Sequence, residues 1–416
     1  MSVKTDVAIV GGGPGGTASA LFLARQGIRS VIVERDEFPR FHIGESMTGE
    51  CGRLVRELGF EDEMIRRGHA IKHGVTVFGT GGSNSFWVPV MRRTDQGELE
   101  PATTWQVRRS EFDSMLLATA RAEGVELIRG EANEPIVGTD GSVKGVHVTT
   151  SSGSSVDVLS DALLDATGRK TWLARTGLIG PKRRDKYDRQ IAVFSHLKGA
   201  VREPGEASGN TIIFYQKLLH WAWFIPLDDE VVSVGVVTPT NYFRDRQEDK
   251  EAFFLRELRE LNPELAKRVE DVEMVEEVRT ASNYSYFVDE FTGPGYLCVG
   301  DSHRFIDPIF SFGLYLTISD AEMAVRAIGA YLDGAERALL DYQDRSNNGL
   351  GVVQDLIDAF WSNPLAFGYV THFTQHREGI IDIFAGRIYG DEPLPAQLAL
   401  RRIVQAHGDT LREAVG

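Results

Sequence analysis

The sequence predicts an α/β protein: a parallel sheet at the N-terminus, an antiparallel β-sheet in the middle and a helical C-terminal region. Three observations carry this. Val3–Val10, a glycine-rich turn, a stretch of helical periodicity and the β-branched run Ser30–Glu34 follow one another in βαβ order. From about Arg189 to Val237 the pattern changes to long alternating segments with turn residues between them. After Gly313 the pattern is mainly helical to the end.

Each element follows from local chemistry. Val3–Val10 reads as one buried strand, and the helix after it runs to Gln26, with Gly27 at C′. Glu45–Leu58 reads as a helix ended by Gly59. Ser110–Ala122 reads as an amphipathic helix with Phe112, Met115 and Leu116 on one side. Asp140-Gly141 between alternating segments predicts a hairpin. Ile191–Leu197, Thr211–Tyr215, Trp221–Pro226 and Val231–Val237 predict an antiparallel sheet that covers a ligand. Asp249–Leu261 returns to helix, and Tyr296–Gly300 is a short apolar strand leading into Asp301.

Composition excludes several classes. The chain has 416 residues, 42% hydrophobic and 25% charged, as in ordinary globular proteins. Its longest apolar runs, such as Val231–Val237, fall far short of a membrane span. Met1–Lys4 leads straight into a strand, so no signal peptide is expected. Cys51 and Cys298 can build neither a disulfide framework nor a zinc site, and a cytoplasmic protein is expected. The net charge of −15 with no basic stripe argues against nucleic acid. It also disfavours docking of an acidic protein, except at a local patch such as Lys182-Arg183-Arg184.

Gly11-x-Gly13-x-x-Gly16 follows a strand and opens a helix, and Glu34 ends the next strand. Gly11 permits the tight turn, Gly13 lets backbone approach a pyrophosphate, and Gly16 lets helix and strand pack closely. The helix N-terminus supplies N–H groups for the phosphates, and Glu34 would accept from the ribose hydroxyls. This predicts a Rossmann-like dinucleotide-binding domain. It is expected to be discontinuous, built from 1–75, 105–185 and 275–345. Residues 76–104 and 186–274 would form the substrate-binding sheet, and 346–416 the helical region.

Ala162–Arg169, with its Asp165-Ala166-Thr167-Gly168-Arg169 turn, and Gly295–Asp301 resemble secondary motifs of the FAD-dependent family with the p-hydroxybenzoate hydroxylase fold. The resemblance implies FAD, with Asp301 on the ribityl chain and Gly168 at the cofactor. Arg109 resembles a flavin-contacting arginine of that family. The pattern cannot phase the strand end, so Arg108 stays open as the alternative.

Four segments resemble the flavin-dependent halogenases, closer to the phenol and pyrrole type than to the tryptophan type. They are Phe38–Ser46, Phe305–Gly313, the WxWxIP element Trp221–Pro226, and Lys72-His73-Gly74. The resemblance implies that Glu45, Ser46, Pro308 and Gly313 line the flavin, with Ser311 at the halide site. A halide ion is the implied co-substrate, oxidised to hypohalous acid at the expense of reduced flavin and O₂. Lys72 would hold or accept the halogen, as a compact ammonium of tunable pKa can. Trp221 and Trp223, two apart on a strand, share a face and would keep the aromatic substrate from the flavin. No second glycine fingerprint is visible, so a separate flavin reductase is the implied source of reduced FAD.

Departures from the family pattern are His220 before Trp221, Phe312 after Ser311, the lack of a proline after Ser46, and Phe310 where tryptophan halogenases carry a glutamate. Phe310, with the missing long C-terminal extension, points away from free tryptophan to a phenolic or pyrrolic substrate, and Phe312 opens the question of whether halide still binds. The substrate is free or tethered to a carrier protein, and the acidic charge tips towards free. Alternatives are a flavin monooxygenase or geranylgeranyl-reductase-like oxidoreductase of the same fold, or a flavin-binding protein without turnover. His372 and His376, four apart, would share a helix face, but no third ligand is evident, and no metal is expected.

Overall fold

The computed structural model describes residues 2–82, 84–282, 284–390 and 392–415. Its largest sheet has nine strands. At its centre Ser30–Glu34, Val7–Val10, Ala162–Asp165 and Tyr296–Cys298 lie side by side and parallel. All four therefore end at one edge, which gathers Gly11, Glu34, Ala166 and the Gly300-Asp301 turn. Strands buried on both faces read as near-continuous apolar runs, and Val7–Val10 and Ala162–Asp165 are buried throughout. Helices Pro14–Arg25 and Gly313–Leu332 pack against each other beside this sheet.

The second sheet has eight strands. Gln190–Lys198, Val231–Pro239, His220–Pro226 and Thr211–Lys217 are antiparallel neighbours. Thr211–Lys217 pairs on its other side with Gly74–Phe78, in parallel. Side chains alternate between the faces. Ala222, Phe224, Val234 and Val236 pack on Phe253, Phe254 and Leu258 of helix Lys250–Glu260. Trp221, Trp223 and Ile225 face the other way, towards the parallel sheet. The C-terminal region is helical, with Ala338–Ser362 and Pro395–Val415 packed together.

Three expected boundaries move. The strand expected over residues 3–10 is two, Ser2–Lys4 and Val7–Val10, broken where Asp6 binds the backbone N–H and guanidinium of Arg29. The helix expected from Glu45 spans Gly49–Glu57, because Thr48 is its N-cap and accepts from Cys51 N. Glu45 and Ser46 are consequently outside the helix, with Ser46 bridged to Gln106. The strand expected over Tyr296–Gly300 stops at Cys298, and a 3-10 turn over Gly300–Ser302 delivers Asp301.

Candidate active site

A cavity of about 800 Å³ opens between the carboxyl edge of the parallel sheet and the inner face of the second sheet. Such an edge is where ligands of doubly wound proteins sit. Gly11, Gly13, Glu34, Glu45, Ser46, Arg109, Gly168, Trp221, Trp223, Asp301, Pro308, Ser311 and Gly313 all line it. Of the residues expected at the site, Gly16 and Lys72 stand behind the wall.

Gly16 acts by packing. A Cβ there would lie 1.9 Å from the Gly11 carbonyl oxygen. A Cβ on Gly13 would meet only Arg40 Nη2, at 3.4 Å, so Gly13 leaves an open cradle. Gly13 caps helix Pro14–Arg25 without a side-chain hydrogen bond, so the positive end of that helix is free for an anion. Glu34 Oε2 braces this turn, accepting from Gly12 N at 2.6 Å, and Oε1 accepts from Asp36 N at 2.7 Å just beyond the strand. Each keeps a second lone pair for a hydroxyl.

A helix start separates the two arginines, Arg108 being the N-cap and Arg109 the first residue of helix Arg109–Ala122. Arg109 is buried, paired with Asp113 at 2.7 Å, and donates to the carbonyls of Ile43 and Gly44. Arg108 turns away to Asp228, also at 2.7 Å. Asp165 is fully buried and accepts from Thr167 N and Leu173 N, so it braces the turn that presents Gly168. Burial pushes the Asp301 carboxyl up to about 6, against the pull of Arg169 and Arg109. Ser311 sits at φ 60°, a left-handed conformation uncommon for non-glycine residues, just before helix Gly313–Leu332. Phe312 is buried and also lines the cavity.

Lys72 is buried, on the two-residue strand Ile71–Lys72. Its Nζ donates to Ser46 Oγ and to the Met47 carbonyl, both at 2.9 Å. Ser46 Oγ lies 3.0 Å from Thr211 Oγ1, and both residues line the cavity. Burial pulls the Lys72 amine down to about 7, with Cys51 opposing. Trp221 and Trp223 stand side by side, ring centroids 6.0 Å apart. Trp223 Nε1 donates to Ser233 Oγ, whereas Trp221 Nε1 is buried without a partner. His220 faces the opposite side of the strand, where its Nε2 lies 2.8 Å from Glu257, so this departure stays out of the cavity.

Other residues escaped the sequence reading. Glu45 Oε1 lies 2.7 Å from His196 Nε2, while its other oxygen is buried without a partner. Asp320 receives Gly300 N at 2.9 Å and lies 2.8 Å from His303 Nε2, which anchors the turn carrying Asp301. Tyr284 lines the cavity with its hydroxyl unpartnered. His372 lies in the last turn of helix Pro364–Phe373 and His376 is the N-cap of the next, so they do not share one helix. Among the described residues no group of three or more His, Cys, Asp or Glu is arranged to hold a metal. Nor is any helix among them long and apolar enough to cross a membrane.

Residues 4–358 match the FAD binding domain family. The chain is 34% identical, over 97% of its length and 97% of the relative's, to the 1H-pyrrole-2-carbonyl-[peptidyl-carrier protein] brominase of Pseudoalteromonas luteoviolacea. The structure of the flavin-dependent brominase Bmp2 matches with a TM-score of 0.91 at 33% identity, over 98% of this chain and 100% of that one. The chain belongs to the flavin-dependent halogenases. A further relative of this halogenase is the 1H-pyrrole-2-carbonyl-[peptidyl-carrier protein] chlorinase of Pseudomonas fluorescens, 25% identical over 96% of this chain and 93% of that one.

The halogenase is thus an FAD-dependent oxidoreductase, and its residues fit FAD. The open cradle at Gly13 and the uncapped helix suit the pyrophosphate. Asp301 and the partnerless polar atoms of Glu45, Trp221 and Tyr284 are left to meet a polar ligand in the same cavity.

Proposed function

We propose that this halogenase installs chloride or bromide on a pyrrole-2-carbonyl group held as a thioester on a carrier protein. The observation that carries the reading is the single cavity joining the dinucleotide cradle to the Trp221–Trp223 face, with Lys72 one hydroxyl behind its wall. The relatives named for pyrrole-2-carbonyl carrier proteins supply the substrate class and weigh against a free substrate. Bound reduced FAD, delivered by a separate reductase, would supply with O₂ the two-electron oxidation of halide to hypohalous acid.

The chain's own residues then handle the halogen. The positive end of helix Gly313–Leu332 beside Ser311 favours an anion, and Phe312 shapes the space left for it. Lys72, held near 7 by burial, is present as both ammonium and amine at neutral pH. The ammonium donates to the oxygen of hypohalous acid, and the amine takes up the halogen with release of water. A pyrrole carbon attacks the halogen, the carbon–halogen bond forms, and the displaced ring proton leaves with the departing oxygen or amine. Trp221 and Trp223 hold the ring away from the flavin.

The test is conversion of carrier-bound pyrrole-2-carboxylate with FAD, a flavin reductase and bromide, read by mass. A bromine-dependent mass shift that disappears in Lys72→Ala, with FAD still bound, is expected. Parent-rate halogenation by the alanine variant would remove Lys72 from the chemistry. An oxygenated product without halogen would mean that Phe312 has closed the halide site.

A further inference from the structure

We propose that the segment Lys182–Arg189 is the docking ridge for an acidic carrier domain, whose arm enters the cavity past Arg304. The inference rests on the carrier-bound substrate proposed above. In a chain of net charge −15, this segment holds five basic residues, Lys182, Arg183, Arg184, Lys186 and Arg189. All five are exposed, whereas its two acids, Asp185 and Asp188, are not. The side chains of Arg183 and Arg184 are 59% and 85% exposed. The pair of Arg183 with Asp289 at 3.0 Å is exposed on both sides and exchanges partners at little cost, while Arg184 stands in solvent 3.5 Å from the buried Asp188.

The ridge is joined to the cavity by a three-stranded sheet. Arg183 lies opposite Phe287, which lies opposite Arg304; Arg184 lies opposite Tyr286, which lies opposite Phe305. Two strand spacings put the ridge about 10 Å from the strand Arg304–Phe305. Arg304 and Phe305 line the cavity, as does Val353 of helix Ala338–Ser362. Arg304 spans the gap, donating to Asp185 at 3.0 Å on the ridge and to Gln354 at 2.8 Å on that helix. Its Nε is buried without a partner. A carrier presents its acyl group on a phosphodiester-linked pantetheine arm, and this arrangement suits both parts. The ridge meets acidic side chains, and Arg304 meets the anionic root of the arm at the cavity wall.

The experiment compares the parent with R183E/R184E on pyrrole-2-carbonyl thioesters of a carrier domain and of pantetheine. FAD is reduced photochemically so that no reductase takes part, bromide is fixed, and ionic strength is raised with potassium glutamate. For the variant, KM for the carrier substrate is expected to rise about tenfold or more, with kcat, the pantetheine substrate and FAD affinity unchanged. The parent's carrier KM should climb with ionic strength, and the variant's should not. An unchanged carrier KM overturns the ridge. So does weakened FAD affinity, which would assign it to the flavin's diphosphate. If the parent halogenates free pyrrole but neither thioester, the carrier reading itself fails and the ridge proposal with it.

Discussion

Lys72 Nζ donates to Ser46 Oγ at 2.9 Å, and it is Ser46, not Lys72, that forms the cavity wall. Among the described residues the lysine has no carboxylate partner; its other acceptor is the Met47 carbonyl. A buried ammonium held by two neutral oxygens is costly, and that cost draws its pKa down to about 7. The burial that would tune the amine for the proposed halogen transfer also destabilises the fold.

That cost can be read from pH. Below about 7 Lys72 is charged in both folded and unfolded chains, and the penalty is complete. Between about 7 and its ordinary value of 10.5 the unfolded chain binds the extra proton, so stability rises with pH. The stability of the parent relative to Lys72→Met should therefore increase by about 2 kcal/mol from about pH 7 to about pH 9. Urea denaturation of both proteins at the two pH values measures it. A constant difference would mean that Lys72 keeps an ordinary pKa.

Two glycines of one fingerprint should fail differently. Gly16→Ala places a Cβ 1.9 Å from the Gly11 carbonyl, a backbone atom that cannot move without opening the turn. Loss of folded protein is expected. Gly13→Ala meets only the end of the Arg40 side chain, at 3.4 Å, so the fold should survive within about 1 kcal/mol. Its methyl fills the cradle, and FAD affinity should fall at least about tenfold. Thermal unfolding with FAD fluorescence titration separates the two effects.

Both glycine roles were legible because the fingerprint is local, its parts lying within one strand, turn and helix. The alternation that placed Trp221 and Trp223 on one face is local too. Lys72 was legible as a motif, but not its position behind Ser46, which depends on the short pairing of Ile71–Lys72 with Thr104–Trp105. The Glu45–His196 contact joins residues 151 apart, and neither neighbourhood signals the other. The helix start was misplaced for a different reason. Thr48 with Glu50 in the first turn is the N-terminal signal that starts the helix at Gly49.

Asp301 should make FAD binding pH-dependent. Its carboxyl is raised to about 6 by burial, so its acceptor form is lost as the pH falls through that value. A carboxylate that accepts from the ribityl hydroxyls binds FAD better than its protonated form does. FAD affinity should therefore strengthen from about pH 5 to about pH 7, and Asp301→Asn should flatten the profile at about tenfold weaker binding. Fluorescence titrations across this range decide it. A parallel slope in the variant would assign the titration to another group.

Trp223 lies flat across its neighbouring strand because residue 235 has no side chain. Gly235 is its direct partner in the sheet, and a Cβ there would stand 2.2 Å from the indole ring. Gly235→Ala must push the ring towards the cavity and strain its hydrogen bond to Ser233. Overpacking of this kind costs about 1–3 kcal/mol. Trp223→Leu in the alanine background removes the clash, so the double variant should be more stable than the two single losses sum to, by more than about 0.5 kcal/mol. FAD affinity should be unchanged in Gly235→Ala, since the dinucleotide cradle lies on the other sheet, while KM for the aromatic substrate rises. Urea denaturation of the four proteins, with substrate kinetics on Gly235→Ala, checks both parts. Additive stabilities would mean that the backbone yields instead of the indole.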